Sequence, residues 1–510
     1  MEYIKGTDRS QIFLFTDCLD QMVDQDNEIR LIDLFVESIK LEDFHFIMKR
    51  NTEGRPAYNP KDLLKLFLYG YLNCIRSSRV LEKECKRNVE VMWLMKQLVP
   101  DHNTISNFRR DNEKAIRKVF RHTVSVAKHF DLIGGKLIAG DSTKLRAQNS
   151  KKNNFNDKKI AQHLEYIEKK LNDYNQALAT ADEDNKIIIQ QEIDKHKERK
   201  LKYNLLQDQL EQTNEKQIST TDPDSRQLMI RNNITEVAYN IQSTVDAKNM
   251  ITIDYKVTNE NDSKALGCML RRSEVILQSS EFTALYDKGY HTGSELKMGI
   301  ERGIELMVAV PAVSSVAPHP DYNLDKFTYD SHQNTYTCPA GHQMTTNGNN
   351  YIKNKERTPY FVKHYKTKAC TKCPLKLLCT SNERGRVVER SEYQEYLDRN
   401  KENVNNNPQT YRKRQAIIEH TYGIIKRQWG FYYITTKRGI RRASADVGLI
   451  MTAFNLRRLF NLIDKNEMGV YLRMIAFILM LFFGLLASIR RMKFYLIVAM
   501  PQKKSIFLMA

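Results

Sequence analysis

Three acidic residues occupy positions where a carboxylate could do chemistry. Asp141 and Asp287 each end an apolar run, in KLIAGDS and FTALYDKGY, and small or polar residues follow them. Glu419 is the single acid between Tyr411 and Arg442, a stretch that holds nine lysines or arginines. Two acids at the ends of buried strands and a third on a helix could hold two divalent cations about 3.5–4 Å apart.

The chemistry of such a site would be cleavage of phosphodiester bonds. Mg²⁺ or Mn²⁺ suits it, because hard cations prefer oxygen ligands and keep room for water and phosphate. One ion activates the attacking oxygen and the other stabilises the leaving oxygen. Spacing alone does not select this triple among 61 acidic residues, and Asp246 and Asp254 are rival choices that we expect at solvated turn or strand positions.

The surroundings of Glu419 also allow a second interpretation, in which this acid only offsets repulsion between basic neighbours. Lys426 lies seven residues further on, which places both side chains on one face of an α-helix. Ile417, Ile418 and Ile424 could pack that helix on a sheet. A lone carboxylate on a strongly basic, sheet-packed helix favours a functional role.

The elements that must position these acids predict a mixed α/β fold. A strand carries Asp141, two strands of a hairpin follow, and a later strand carries Asp287 before a last strand ends at Pro311. Hairpin strands followed by crossover units predict a mixed sheet with helices on its faces. We therefore expect Asp141 and Asp287 on adjacent parallel strands, with Glu419 projecting toward both from the long helix that begins near Tyr411.

The N-terminal segment is predicted to be helical. In PDHNTISNFRR, Asp101 and Thr104 are N-cap candidates, and Arg109 and Arg110 follow in the next turn. Short helices with basic ends suit a DNA-reading module, and a helical packing domain is an equally open alternative.

A polar segment after the first strand has the spacing of a coiled coil. We expect a helical hairpin over 157–212 that serves DNA or subunit contacts rather than chemistry. The inner seam of its first helix would be Ile160, Leu164, Ile167, Leu171, Tyr174 and Leu178.

Four cysteines cluster before the last acid, the number that a closed tetrahedral zinc site requires. They are Cys338, Cys370, Cys373 and Cys379, and His342 could replace one of them. Reduced thiols that bind nothing are the competing interpretation. Four isolated cysteines are expected to be buried: Cys18, Cys74, Cys85 and Cys268.

The totals point to a polyanionic partner inside a cell. The 510 residues carry a formal charge of +19, which favours nucleic acid. The polar start MEYIKGTDRSQ predicts no signal peptide, and eight cysteines predict a reducing, cytoplasmic setting. Met474–Ala487 is an apolar run shorter than the roughly 18–20 residues that span a bilayer, so we expect a buried or partner-facing helix and no membrane.

These observations divide the chain into seven segments. They are a helical, DNA-binding domain 1–130; a first catalytic strand 131–150; a coiled-coil-like hairpin 151–217; the rest of the sheet 218–317; a cysteine-rich insertion 318–403; the catalytic helix and core end 404–465; and an apolar tail 466–510. Residues 403–409 are predicted to be a polar loop.

The chain resembles the DDE transposases of bacterial insertion sequences, in the branch with a cysteine cluster before the last acid. The matching stretches cover most of residues 54–460. They are GRPAYNPKDLLKLFLYGYL, PDHNTISNFRR, AGDSTKLRAQNS, TDPDSR, YNIQSTVDAK, VTNENDS, ALYDKGY, CPAGH, CTKCPLKLLC, RKRQAIIEHTYGIIKRQWGF and AFNLRRL. The resemblance implies an RNase H-like core in which Asp141, Asp287 and Glu419 bind two Mg²⁺ or Mn²⁺ ions, with a structural zinc at the cysteines.

The resemblance also implies contacts with DNA. The candidates are Arg109, Arg110, Arg414, Lys426, Arg427 and Trp429. Trp429 could stack on an unpaired base, and a core aromatic is its competing interpretation. Tyr411, Arg414, Glu419 and Lys426 fit a Tyr, Arg, Glu, Lys set of related transposases, except for one extra residue between Arg414 and Glu419.

The function implied is binding of inverted-repeat ends with metal-dependent strand cleavage and strand transfer. Its partners would be double-stranded element ends and target DNA, held by a homodimer in the bacterial cytoplasm, on the nucleoid. One alternative is a catalytically inactive DNA-binding protein derived from a transposase, and the other is a cellular RNase H-like nuclease. The presence of all three acids favours the enzyme over the inactive protein.

Overall fold

A computed structural model describes residues 18–48, 56–231, 234–312, 317–355, 358–435 and 438–479. Its helices are α1 Glu28–Glu37, α2 Pro60–Leu72, α3 Ser78–Arg87, α4 Val89–Leu94, α5 His102–Asp111, α6 Glu113–His129, α7 Asp157–Thr180, α8 Glu183–Thr213, α9 Leu266–Leu277, α10 Gly293–Ile300, α11 Lys376–Cys379, α12 Gln394–Asn406, α13 Pro408–Tyr422 and α14 Ile440–Leu462. Its strands are β1 Leu137–Arg146, β2 Asn154–Phe155, β3 Ile218–Ser219, β4 Arg226–Arg231, β5 Ile234–Asp246, β6 Ile251–Thr258, β7 Thr283–Tyr286, β8 Glu305–Val308, β9 Thr328–Asp330, β10 Thr335–Thr337, β11 Gln343–Lys355, β12 Thr358–Lys366 and β13 Val388–Ser391.

The main sheet is mixed, as the sequence predicts. Its strands follow the order β4–β5–β1–β7–β8, and β6 also pairs with β5. β1 runs antiparallel to β5, whereas β1, β7 and β8 run parallel to one another. The sequence did not predict β4, which pairs with the first half of β5 next to residues 232–233, outside the described ranges.

The two faces of this sheet follow the two-residue period of its strands. Ile138 and Ala284 pack with α9 and α10 on one face. The next residue on each strand, Ala139 and Leu285, packs with Ile417 and its neighbour on α13. A side-chain methyl group at Gly140 would lie 2.1 Å from the Tyr286 ring on β7, so this close approach requires glycine.

The N-terminal helices share one hydrophobic core with the end of the chain. Asp101 caps α5 by accepting the N–H groups of Asn103 and Thr104, at 2.9 and 3.1 Å, so Asp101 is the N-cap. Leu64, Phe67 and Phe120 are buried in the same cluster as Phe454 of α14. α14 is buried around its circumference through residues 443–456, which makes it a central core helix rather than a surface one.

The predicted helical hairpin is present as α7 and α8. Ile160 and Ile167 are buried on its inner side, and the other predicted seam residues are partly buried while their neighbours are exposed. Leu206 and Leu210 return along α8 to pack near Ile160. The short ladder of β2 with β3 joins the two ends of the hairpin.

The cysteine-rich stretch contains a second, antiparallel sheet with the order β13–β12–β11–β10–β9. The polar loop predicted at 403–409 is wrong, because α12 continues to Asn406 and α13 starts at Pro408. Asn400 explains why this asparagine-rich segment is ordered. Its side chain accepts from the Val308 N–H and donates to the Val308 carbonyl oxygen, both at 2.8 Å, and so covers the edge strand β8.

Two further expectations are corrected or limited by the coordinates. Cys85 is buried as predicted, but Cys18 and Cys74 are exposed. In the tail, a helix runs from 465 to 479, while 480–510, with most of the apolar run, lies outside the described residues. No helix in the described ranges is long and apolar enough to cross a membrane.

Candidate active site

Asp141 and Asp287 lie opposite each other at one end of the parallel pair β1 and β7. The register pairs Ala139 with Leu285, and two further residues along each strand lead to the two acids. Neighbouring strands are about 4.8 Å apart, so the two carboxylates emerge side by side. Sequence position separates them by 146 residues, and the predicted adjacency of their strands is confirmed.

Each of these acids is held by a local backbone bond. The Ser142 N–H donates to Asp141 Oδ1 at 2.7 Å. Asp287 caps a short 3₁₀ turn, and the Lys288 N–H donates to its Oδ1 at 2.5 Å. The remaining oxygen of each carboxylate stays directed by the end of its strand.

The electrostatic environment of Asp141 disfavours its charged form. Its side chain is 25% exposed. Burial raises the pKa of this carboxyl, the Ser142 amide and Arg414 lower it, and the charges of Asp287 and Asp262 raise it again, with a net upward shift. Neighbouring acids that repel each other in a partly buried place create a site that a cation stabilises.

Arg414 on α13 is the counter-charge to this acid. Its Nη1 lies 3.1 Å from Asp141 Oδ2, in an ion pair whose partners are both largely buried. The sequence led us to expect a DNA-backbone contact at Arg414, and the structure corrects this, because the guanidinium is committed to the carboxylate.

Two tyrosines on the same side of α13 fix the helix above the acids. The Tyr411 hydroxyl donates to the Tyr286 carbonyl oxygen at 3.1 Å. The Tyr422 hydroxyl donates to the Asp141 carbonyl oxygen at 3.0 Å and lies 2.7 Å from Ser243 Oγ. The position of α13 over the strand ends is therefore set by hydrogen bonds as well as by apolar packing.

Glu419 does not join the two aspartates in this structure. Its side chain is exposed, and its Oε1 accepts from Gln415 Nε2 at 2.8 Å, one turn back on α13. Among the described residues, no group of three or more His, Cys, Asp or Glu side chains is arranged to hold a metal ion. The structure thus brings together Asp141 and Asp287 but leaves Glu419 on the flank of the helix.

A fourth acid, Asp262, lies close to the pair and was not singled out by the sequence. Its Oδ1 accepts from Asn240 and Gln242, both at 2.7 Å, and its Oδ2 accepts from Lys144 Nζ at 3.1 Å. Burial raises its pKa, but Lys144 and the hydrogen-bond donors outweigh burial and lower it. The available signal was that Asp262, like the other two aspartates, follows a strand.

The rival acids have structural roles, although neither is solvated as we expected. Asp246 is buried and accepts from the N–H groups of Gly134 and Gly135 at 3.0 and 2.8 Å. Asp254 is buried and pairs with Arg272 through two bonds of 2.5 and 2.6 Å.

Arg109 does not present its charge to solvent. It is 5% exposed, and its Nη1 donates to the Tyr71 hydroxyl at 2.9 Å and to the Arg76 carbonyl oxygen at 3.0 Å. This burial corrects the expectation of an exposed DNA contact. Arg110 is exposed, and its guanidinium pairs with the adjacent Asp111.

The basic residues after α13 follow a helical turn of a different kind. Gly423–Gln428 is π-helical, and such a turn contains more residues than an α-turn. Lys426 is therefore rotated away from the face of Glu419, and its Nζ donates to the Lys144 carbonyl oxygen at 3.0 Å. Arg427 is exposed, and Trp429 is half-buried, with its ring 5.6 Å from Phe431.

The predicted zinc ligands share one small pocket. Its lining includes Cys338, Cys370, Cys373, Cys379 and His342. Gly385, with φ +92°, stands against it, and a methyl group there would lie 2.5 Å from the Cys370 Cβ. Burial raises the pKa of the Cys379 thiol, and the three other thiols raise it further against the effect of Arg386. The pocket gathers the thiols, although they are not spaced as a metal site.

Comparisons with known proteins match two parts of the chain. A family model described as "Transposase domain (DUF772)" matches residues 17–111, and one described as "Transposase DDE domain" matches 337–460, a range that includes Glu419. No curated protein matches. One similar solved structure is the cryo-EM synaptic complex of the piggyBac transposase with hairpin DNA, at 10% identity and TM-score 0.31, covering 94% of this chain and 83% of that one.

Proposed function

This chain is a transposase of the DDE class, and we propose that it cuts and rejoins DNA at the inverted-repeat ends of an insertion sequence. The observation that carries this is the pair Asp141 and Asp287, side by side at the ends of parallel strands. The net charge of +19 supports a DNA partner, because basic side chains neutralise backbone phosphates.

We propose an RNase H-like catalytic core for this enzyme. The arrangement that supports it is three antiparallel strands, β6, β5 and β1, continued by the two parallel strands β7 and β8. The hairpin α7–α8 and the second sheet would then be insertions into that core. The first follows β1 and the second follows β8.

The donor set fits hard divalent cations. Asp141 and Asp287 would hold Mg²⁺ or Mn²⁺, with Glu419 as the third ligand after a change in its side-chain direction. Arg414 already places a positive charge against Asp141 at 3.1 Å, where it stands in for a cation. When bound, two such ions would activate the attacking oxygen and stabilise the leaving oxygen.

The chain's own residues would orient this chemistry. Tyr411 and Tyr422 keep α13 fixed over the strand ends through bonds to the Tyr286 and Asp141 carbonyl oxygens. Arg414 keeps the Asp141 carboxylate ionised before a metal arrives, against the effect of burial. Once displaced by the ion, the same guanidinium would face the phosphate that the enzyme cuts.

Cleavage of labelled element ends tests this function. The substrate is a duplex made from the inverted repeat that flanks the coding region, incubated with the protein and Mg²⁺ or Mn²⁺. Asp141→Asn, Asp287→Asn and Glu419→Gln should each reduce cleavage at least about a hundredfold while end binding survives, because a lost metal ligand removes transition-state charge stabilisation.

The matched control is Asp173→Asn on the hairpin, which removes an equal charge far from the strand ends and should leave cleavage unchanged. Cleavage at the unmodified rate by Asp141→Asn or Asp287→Asn would contradict the proposed site. Normal cleavage by Glu419→Gln alone would remove Glu419 from it and leave the aspartates.

A structural zinc ion at the cysteine pocket belongs to the same proposal. Four thiols that line one pocket support it, since four sulfur ligands complete a tetrahedral site. Metal analysis of the purified protein should find one zinc ion per chain, lost in Cys373→Ser and retained in Cys74→Ser. A homodimer that holds the element ends and target DNA on the bacterial nucleoid completes the proposed setting.

A further inference from the structure

A large cleft lined by arginines lies apart from the aspartates. It has a volume of about 740 Å³ and is formed by α3, α5 and the segment that follows α13. The arginines that line it are Arg76, Arg79, Arg109, Arg110 and Arg442. No aspartate or glutamate is among its described lining residues. A cavity walled by one sign of charge concentrates ligands of the opposite sign.

Two of these arginines are buried and incompletely bonded. Arg76 and Arg109 are 6% and 5% exposed. Asp446 lies behind them at 3.7 and 3.8 Å. Within the described chain, Arg76 Nη1 and Arg109 Nε still have no hydrogen-bond acceptor. Buried donors of this kind are costly to leave unmade, and an anionic oxygen in the cleft would satisfy them.

The cleft also has an aromatic wall. The Arg76 guanidinium lies 4.2 Å from the Phe431 ring centre and 4.8 Å from that of Tyr433. Tyr433 is 46% exposed, and Trp429 lines the same wall. Exposed aromatic rings beside arginines can stack a nucleobase. The combination suits a ligand with both a phosphate and a flat ring.

The backbone connects this wall to the strand that carries Asp141. The Arg146 N–H donates to the Tyr432 carbonyl oxygen at 3.0 Å, and the Ile434 N–H donates to the Arg146 carbonyl oxygen at 2.7 Å. Arg146 lies five residues beyond Asp141 on β1. At about 3.3 Å per residue, the cleft begins roughly 16 Å from the catalytic pair, which a few nucleotides can bridge.

We propose that the cleft binds a nucleotide of the single DNA strand that leads away from the catalytic pair. Arg79, Arg110 and Arg442 contact its phosphate, the buried Arg76 and Arg109 complete the anion site, and Tyr433 stacks the base. The assignment of this ligand rests on the proposed function, since it takes the strand cut at Asp141 and Asp287 as its source.

Binding of a fluorescein-labelled ten-nucleotide oligothymidylate tests the site, measured by anisotropy in EDTA over a range of salt concentrations. Arg79→Ala/Arg442→Ala should bind at least about tenfold more weakly at low salt. The slope of log affinity against log salt should shrink by about 1.4, because each lost phosphate contact on a single strand removes about 0.7. Both side chains are exposed, so the thermal unfolding of the variant should be unchanged.

The matched control is Arg384→Ala/Arg399→Ala, which removes two exposed arginines elsewhere and should keep the slope. Tyr433→Ala should weaken binding at least about fivefold without a change in slope, and Tyr433→Phe should restore it. A blunt 20-base-pair duplex should respond less than the oligothymidylate to the cleft variant.

Three results would overturn the proposal: equal losses in the cleft and control variants, an unchanged slope in the cleft variant, or an equal loss on the duplex. The measurement needs neither metal nor element ends. Failure of end cleavage would therefore leave it intact, and its failure would leave the cleavage test intact.

Discussion

At the residue scale, a single ion pair controls access to the candidate metal site. Arg414 Nη1 and Asp141 Oδ2 are 3.1 Å apart, and both side chains are mostly buried. A cation that approaches Asp141 must compete with this guanidinium. The pair keeps the carboxylate ionised, since burial and the neighbouring acids raise its pKa. Arg414 thus both prepares the site and lowers its affinity for metal.

Arg414→Gln should therefore bind Mn²⁺ about three- to tenfold more tightly, which corresponds to roughly 1 kcal/mol for a partly buried ion pair. Isothermal titration calorimetry measures the affinity. Arg412→Gln is the control, an exposed neighbour that should change little. An Mn²⁺ affinity that falls in Arg414→Gln would show that the ion pair does not compete with metal.

Asp262 gives a second prediction at this scale. It is anchored by Lys144 and by two side-chain amides, and its charge reaches Asp141. Asp262→Asn should lower the free energy of unfolding by about 1–3 kcal/mol, because Lys144 loses a partly buried partner. It should also reduce cleavage while end binding persists.

Urea unfolding and end cleavage measure these two effects, with the exposed neighbour Glu260→Gln as the control. If Asp262→Asn unfolds and cleaves like the unmodified protein, the acid serves neither the fold nor the site.

At the element scale, the sequence predicted what local patterns encode. Apolar runs that end in an acid predicted the strands of Asp141 and Asp287, and helical spacing predicted α13 and the hairpin. The direction of Glu419 depends on how α13 is rotated by its bonds from Tyr411 and Tyr422, which periodicity does not record. The burial of Arg109 depends on Asp446, 337 positions away, which no local pattern reports.

The hairpin is an element that can be removed cleanly. Asn154 and Phe155 pair with Ser219 and Ile218, so its two ends already meet. Replacing 157–212 by a short glycine–serine linker should leave Mn²⁺ binding unchanged and weaken DNA binding. Calorimetry and anisotropy measure the two properties, with circular dichroism to establish that the shortened protein is folded. Loss of Mn²⁺ binding in a folded deletion would show that the hairpin supports the metal site.

At the scale of the whole molecule, stability depends on the core that joins both ends of the chain. His122 of α6 lies in its N-terminal part, 5.1 Å from the Phe35 ring, with Nε2 2.9 Å from Ser38 Oγ. Burial lowers the pKa of His122 from about 6.5 to about 4. The neutral ring is therefore the form that the fold accepts.

A lowered pKa makes the fold lose stability as pH falls. The contribution of His122 is full above its unfolded pKa of about 6.5 and decreases toward pH 4, where the folded state also accepts the proton. Urea unfolding between pH 7 and pH 4 should show a loss on the order of 2–3 kcal/mol from this residue. His122→Leu should lose less over the same range, and identical pH dependence in both proteins would contradict the assignment.

The shared core has a consequence for how the protein is made. Tyr71 of α2 bonds Asp446 of α14 across 375 positions. Synthesis at about 5–20 residues per second separates their emergence from the ribosome by roughly 20–75 s. During that interval the N-terminal helices lack the partner that fills their core. DNA binding and cutting therefore begin only when the chain is nearly complete, and a fragment that stops before Ile440 should remain without a folded N-terminal unit.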